Sequence, residues 1–310
     1  MPNVTVQPHV DKFLKTPSKR FAQDLLSVPL PFAAFTHTLT TDEWRKAVKF
    51  TSTKSTAVSG LIRSSTGYIK CLDHDGTWEA VVGSGNPNGD ITTNFTASGD
   101  NIPRFYAMIP CDASGNLSGD LTKILFSTDK ITTFDATGLS AMTSITIAFN
   151  QITSFDGTGL SSLTSLSIPS NLITSFDATE LTSLTTLSLN NNQLTSFDGA
   201  GLSSLQSLYL ANNQLTSFNG SELSSLQTLR LDNNPLTSLG SLSLPIAETV
   251  YVVNNSLPAS ELDALYTALG TNPGTLTYWS YPGIYVAGNP GTSSDDPSIA
   301  TAKGHTVYGS

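Results

Sequence analysis

Residues 184–204, LTTLSLNNNQLTSFDGAGLSS, decide how the C-terminal half of the chain folds. Counted from Leu184, apolar residues follow at three and five places (Leu187, Leu189), an asparagine at eight (Asn192), and apolar residues at ten, thirteen and eighteen (Leu194, Phe197, Leu202). The same frame starts again at Met142, Leu163, Leu205 and Leu226, and in degraded form, with Asp129 in the asparagine place, at Leu121, each 21 residues from the next start. A fixed period of this length marks stacked units that cannot bury an apolar face alone and bury it against one another.

The spacing fixes the chemistry of each unit. Two apolar residues separated by one place, such as Ile145/Ile147, Leu166/Ile168, Leu208/Leu210 and Leu229/Leu231, point to the same side of a short strand. Successive strands then pair in parallel into one curved sheet. The asparagine falls where the chain leaves the strand. Its amide both donates and accepts, so it can satisfy backbone groups that the turn buries. Asn150, Asn171, Asn192, Asn213 and Asn234 form this column, and a further unit from Ala247 adds Asn255 with Val250, Val252 and Leu257. The column is expected to be structural. Phe134, Phe155, Phe176, Phe197, Phe218 and Leu239 form a second column, and Leu139, Leu160, Leu181, Leu202, Leu223 and Leu244 a third. Both should line the convex side of the core. The segments between them, such as DGTGLSS, are too short and glycine-rich for full helices, so turns are expected there.

A stack of this kind needs closed ends. Towards the C-terminus, Ser260 with Asp263 has the spacing of a capping box, and Leu262, Leu265, Tyr266 and Leu269 mark one helical face. Strand-like pieces at Thr275–Trp279 and Ile284–Val286, a short helix at Pro297–Lys303 and a closing strand at His305–Tyr308 follow. The frame LxxLxLxxNxL over residues 121–258, together with the final block IYVAGNPGTSSDDPSIATAKGHTVYG, resembles bacterial and bacteriophage leucine-rich-repeat proteins. In these a GNP turn, a short helix and a KGxTV strand close the stack. The resemblance implies a leucine-rich-repeat solenoid over 121–258 with an α/β cap over 259–310. It also implies a recognition or scaffold module without catalytic residues.

The N-terminal part reads differently. Residues 1–34 are broken by Pro2, Pro8, Pro17, Pro29 and Pro31, with room for a short helix at Ser18–Leu26. Phe13, Leu14, Phe21, Leu25 and Leu26 are too many apolar residues for a free tail, so an extended arm that anchors on a partner is expected. Residues 35–120 read as a small β domain. GYIKCLDHDGTWEAVV at 67–82 has the pattern of a hairpin around an Asp-Gly turn, and RFYAMIP at 104–110 that of a buried strand. The fold class expected for the whole chain is therefore mainly β.

Composition narrows the function. Charged residues make up 13% of the chain, about half the usual share. The net charge of −9 is uneven, with +4 over residues 1–54 and only Arg230 and Lys303 basic after Lys130. The repeats lack the positive footprint of a nucleic-acid binder. No zinc-ligand cluster, GxSxG, HExxH or phosphate loop is present, and the four histidines are scattered. Neither cofactor nor metal nor enzymatic activity is expected. Cys71 and Cys111 are either free thiols or one disulfide. Neither a secretory signal nor a membrane-spanning stretch is seen.

The solvent side of the strands is more informative. Between the two core positions the residues run Leu125, Thr146, Ser167, Ser188, Tyr209, Arg230, Tyr251. Tyr209, Arg230 and Tyr251, with Asp232 nearby, are the candidate ligand-binding group, because Tyr and Arg dominate recognition hot spots. The alternative is a stripe that only stabilises the sheet. The expected protein is a bacteriophage virion component, a capsid decoration, head fibre or tail-associated protein. Its arm would hold capsid or tail proteins or further copies of the chain in an oligomer. Its repeats would bind protein or glycan on a cell surface. The alternative is a secreted, extracellular or cell-surface bacterial adhesin or host-interaction protein.

Overall fold

The computed structural model describes residues 48–52, 58–64, 68–72, 82–83, 91–95, 104–110, 121–127, 130–272 and 282–310; before residue 121 it describes side-chain placement at Lys49 alone. The arm of residues 1–34, the short helix expected there, Cys111, the Asp-Gly turn and the piece at 275–279 lie outside the described residues, as does the Cys71 side chain. The chain divides into two compact units. One comprises residues 1–142 with 150–160, the other residues 143–149 with 161–310.

In the first unit the strands are antiparallel. β1 (Val48–Ser52), β2 (Val58–Ser64), β3 (Tyr68–Leu72), β4 (Val82–Gly83), β5 (Ile91–Phe95), β6 (Arg104–Pro110), β7 (Leu121–Ser127) and β8 (Ile131–Asp135) follow in chain order. One sheet has the order β4-β3-β6-β1-β8, and β2 pairs with both β5 and β7. Tyr68 lies opposite Gly83 and Ile69 opposite Val82, the pairing of the hairpin read from residues 67–82. The LxL strand of the first repeat frame, β7, has an antiparallel partner in β2, with Ile124 opposite Ile62 and Phe126 opposite Gly60. Phe134 and Phe155 stack in this unit with centroids 6.4 Å apart.

The second unit is a solenoid. β9 (Ser144–Ala148), β10 (Ser165–Ser167), β11 (Thr186–Ser188), β12 (Ser207–Tyr209), β13 (Thr228–Arg230), β14 (Thr249–Tyr251), β15 (Gly283–Tyr285) and β16 (Val307–Tyr308) pair in parallel, each with the next. Register follows the 21-residue period from Ile145 through Leu166, Leu187, Leu208 and Leu229 to Val250, and Ile284, 34 residues on, joins the same column. All seven are buried. Burying each of these side chains is worth about 1.5–3 kcal/mol, and the sum over the column is what holds so short a set of strands. On the convex side the chain turns rather than winding into helices. The Leu181 amide donates to the Ala178 carbonyl at 2.9 Å and that of Leu202 to Gly199 at 3.1 Å.

Buried asparagines close the turns after the strands. Asn213 Nδ2 donates to the carbonyls of Leu189 and Leu210, both at 3.0 Å, and its Oδ1 accepts from the Leu194 amide at 3.1 Å. Asn192, Asn234 and Asn255 repeat this pattern. Asn171 Nδ2 donates to Ile147 and Ile168, and in the first unit Asn150 accepts from the Ile131 amide. Asn289, in the cap, adds a further rung: it donates to Val252 and Val286 and accepts from Leu257.

Two expectations change. Phe176 is half-buried, whereas Phe197 and Phe218 are buried and stack with centroids 6.0 Å apart. The capping box is also absent. Helix α1 (Ala259–Ala268) begins after Pro258, with no side-chain hydrogen bond at its cap. Ser260 lies inside the helix, and Asp263 instead accepts from the Asp296 amide at 2.7 Å. Pro258 sets a φ of −73° at the helix entry, so the chain starts the helix without a polar side-chain cap. Two closing elements are shorter than expected, α2 covering Ser298–Thr301 and β16 Val307–Tyr308, and β15 is shifted by one residue to Gly283–Tyr285. Lys303 closes the other end of α1, its Nζ 2.7 Å from the carbonyls of both Thr267 and Leu269.

Candidate functional site

Parallel in-register pairing places the residue that follows the aligned core residue of each strand in one row across the sheet. The row runs Thr146, Ser167, Ser188, Tyr209, Arg230, Tyr251, Tyr285, Tyr308. Small hydroxyl residues fill its first part and large planar ones the rest. Adjacent strands lie about 4.8 Å apart, close to the optimum separation of stacked rings.

The large residues stack. The Tyr251 and Tyr285 centroids are 4.2 Å apart with an interplanar angle of 4°, and those of Tyr285 and Tyr308 are 4.6 Å apart at 12°. The guanidinium carbon of Arg230 lies 4.3 Å from the Tyr251 centroid. Its Nε donates to Asp232 Oδ1 at 3.1 Å and its Nη2 to Oδ2 at 3.5 Å. Asp232 is therefore engaged by Arg230 and fixes it over the ring. Tyr209 is half-buried and opposes Arg230 on the neighbouring strand.

This arrangement decides which atoms face outward. Both faces of Tyr251 are covered, one by Arg230 and the other by Tyr285. Tyr285 is likewise enclosed between Tyr251 and Tyr308. These two enclosed rings offer edges and hydroxyl ends, backed by one guanidinium that remains 40% exposed. Tyr308 ends the row at 42% exposure. Gly283 makes room for it, since a Cβ there would lie 2.5 Å from Tyr308 Cε2.

Sequence reading found Tyr209, Arg230, Asp232 and Tyr251 but missed Tyr285 and Tyr308. The 21-residue period ends at Tyr251, and the next strand comes after α1. The signal was present in IYVAGN (284–289), which repeats the spacing of VYVVNN (250–255) and aligns both the tyrosine and the ladder asparagine. The arm residues Phe13, Leu14, Phe21, Leu25 and Leu26 are outside the described residues. Among the described residues no group of three or more His, Cys, Asp or Glu is placed to hold a metal, and no helix is long and apolar enough to cross a membrane.

A second exposed feature lies at the opposite end of this sheet. The residue after each strand's turn has a left-handed φ in every unit: Ser170, Asn191, Asn212, Asn233 and Asn254 all fall between 54° and 57°. Gly288 continues the column with φ 77°. Phe149 occupies the same place with φ 55°, and it is 61% exposed. A bulky aromatic is strained in this region, and here burial does not compensate.

Residues 203–244 match the family model described as leucine-rich repeats (two copies), and residues 161–215 the one described as leucine-rich repeat. Among solved structures, the chain is similar to the functional domain of InlJ from Listeria monocytogenes, described as including a cysteine ladder. Identity is 25% and the TM-score 0.45, over 58% of this chain and 42% of that one. It is also similar to the Listeria monocytogenes internalin InlF, at 22% identity and TM-score 0.42, over 54% and 48% of the two chains. Internalin C2 of the same organism gives 26% identity and TM-score 0.44, over 54% and 72%. The chain thus spans less than half the length of the first two. No curated protein matches it. With the period, the parallel register and the asparagine column, the two family-model matches make residues 161–244 leucine-rich repeats and the solenoid they build a leucine-rich-repeat domain.

Proposed function

We propose that the solenoid is the recognition module of a secreted or cell-surface protein, and that the row from Tyr209 to Tyr308 binds a protein. Leucine-rich repeats are a recognition scaffold that binds proteins. The observation that carries the choice of ligand is the stacking of Tyr251 between Arg230 and Tyr285. A sugar recognised by aromatic residues lies flat on a ring face, and both faces of Tyr251 and of Tyr285, at the middle of the row, are occupied. A protein can use ring edges, hydroxyls and a fixed guanidinium, the composition typical of interface hot spots. The low charge of the repeats agrees with a surface that works by shape and hydrogen bonding rather than by electrostatic steering. Attachment to capsid or tail proteins, or assembly of copies, would act through residues 1–34, outside the described residues, and nothing in the comparisons supports it.

Binding of the purified chain to intact cells tests the proposal. Protease treatment of the cells should abolish binding, and glycosidase treatment should leave it. Tyr209→Ala with Tyr308→Ala should reduce it at least tenfold. Undiminished binding by that double variant would place the ligand elsewhere, and loss with glycosidase alone would make the ligand a glycan.

A further inference from the structure

Lys49 and Asp135 form an ion pair inside the first unit. They are directly opposed residues of β1 and β8, and β1 is an interior strand with β6 on its other side. Nζ lies 3.3 Å from Asp135 Oδ2, and the two side chains are 2% and 3% exposed. Every other aspartate of the same column that is described in the repeats, Asp156, Asp177 and Asp198, faces solvent.

The two carboxyl oxygens of Asp135 are unlike. Oδ1 accepts from the Thr137 amide at 2.9 Å and from the Thr137 hydroxyl at 2.7 Å. Oδ2 accepts no hydrogen bond among the described residues and has the lysine beside it. The carbonyl carbon is thus polarised from one side and open to an amine from the other.

We propose that Lys49 and Asp135 condense into an intramolecular isopeptide bond that ties β1 to β8. The reaction starts with transfer of the ammonium proton to Asp135 Oδ2, which leaves a neutral amine and a carboxylic acid. Burial favours this by pushing the Lys49 ammonium below its ordinary pKa, against the opposing pull of Asp135. The amine lone pair attacks Cγ, and the bond Nζ–Cγ forms. Charge gathers on Oδ1, where the two Thr137 donors stabilise it as an oxyanion hole does. The bond Cγ–Oδ2 then breaks. Oδ2 leaves as water, carrying the proton it received from the ammonium and a second one from the attacking nitrogen. No oxidant, reductant or cofactor is needed. The product is a neutral amide in place of a buried ion pair. It fixes an interior strand to one 86 positions later in the chain, as a disulfide would, but without sensitivity to reductant.

Intact mass of the full chain under denaturing, reducing conditions tests this directly. The expected mass is one water below that of the sequence. After trypsin, cleavage behind Lys49 should be lost, and the peptide AVKFTSTK (47–54) should be recovered joined to the peptide that contains Asp135. Lys49→Met and Asp135→Ala should each restore the full mass. A wild-type chain at full mass, or a water lost at another site with AVK released by trypsin, would overturn the proposal. Neither outcome depends on how well the variants fold.

Discussion

Arg230 holds its guanidinium carbon 4.3 Å from the centroid of Tyr251, and Asp232 holds Arg230 there through two hydrogen bonds. Neither the tyrosine nor the arginine can leave the row without disturbing the other. Tyr251→Ala should therefore cost stability as well as binding. Loss of one stacked pair and one cation–π contact amounts to about 1–2 kcal/mol. Tyr251→Phe keeps the stack and removes only the hydroxyl. It should leave the melting temperature unchanged while weakening binding. If Tyr251→Phe binds as tightly as the wild type and Tyr251→Ala only lowers the melting temperature, the row is a stabilising stripe.

The solenoid was legible in the sequence because its core is periodic. A 21-residue step with apolar residues at fixed places allows one register, and Leu166, Leu187 and Leu208 align accordingly. The site was half legible, for the opposite reason. Tyr285 and Tyr308 lie on strands that follow a helix and a turn of unequal length, so no count from Tyr251 reaches them. The antiparallel pairing of β7 was also hidden. Leu121, Ile124 and Phe126 satisfy the apolar places of the repeat, and the one departure of this unit in the sequence, Asp129 for the asparagine, says nothing of the antiparallel partner from residues 58–64. A pattern of apolar places reports which side of a strand is buried, not the direction of the strand beside it.

Core position, not residue type, should set the cost of truncating the phenylalanine column. Phe197 is 5% exposed and stacked on Phe218, so Phe197→Ala should cost about 3–5 kcal/mol. Phe176 is half-buried, and Phe176→Ala should cost less than half as much. Ser188→Ala, on the solvent side of β11, should fall within about 0.5 kcal/mol of wild type. Chemical denaturation of the three variants checks the order. Equal losses for Phe176 and Phe197 would contradict their placement.

Asn213 links two successive units, its own through Leu210 and the preceding one through Leu189 and Leu194. Asn213→Ala strands two buried carbonyls and one buried amide. Even with partial relaxation the loss should be about 2–4 kcal/mol, more than for any exposed asparagine of the chain. Amide exchange of Leu194 should accelerate in parallel. An Asn213→Ala variant as stable as wild type would show that water replaces the side chain.

Alkaline pH probes the cap. Tyr266 donates its hydroxyl to Asp295 Oδ2 at 2.6 Å, and burial followed by that carboxylate pushes its pKa well above the ordinary value of 10.0. The unfolded chain then ionises first. Stability from this group is complete below about pH 10 and falls as pH rises through and beyond that value. Tyr266→Phe should lower stability at neutral pH through loss of the hydrogen bond, yet flatten the decline above pH 10. An unaltered alkaline decline in Tyr266→Phe would assign it to other groups.

Phe149 breaks two rules at once. It holds φ 55° where the equivalent residues are Ser170, Asn191, Asn212, Asn233, Asn254 and Gly288, and it leaves 61% of its surface in water. Asn adopts this conformation readily, because its short polar side chain tolerates the left-handed region. The Phe149 amide donates to the Pro169 carbonyl at 3.0 Å, a backbone bond that any residue but proline retains. Phe149→Asn should therefore raise stability by about 0.5–1 kcal/mol, since strain is relieved and little burial is lost. The same substitution should weaken cell binding if the aromatic is kept for a partner, because a strained and exposed side chain contributes nothing to the fold that would retain it. Thermal melting and the cell-binding assay, run on one preparation, separate the cases. Higher stability with weaker binding would extend the recognition surface to Phe149, and higher stability with unchanged binding would confine it to the tyrosine row. A lower melting temperature would show that the ring packs against the chain more than its exposure indicates.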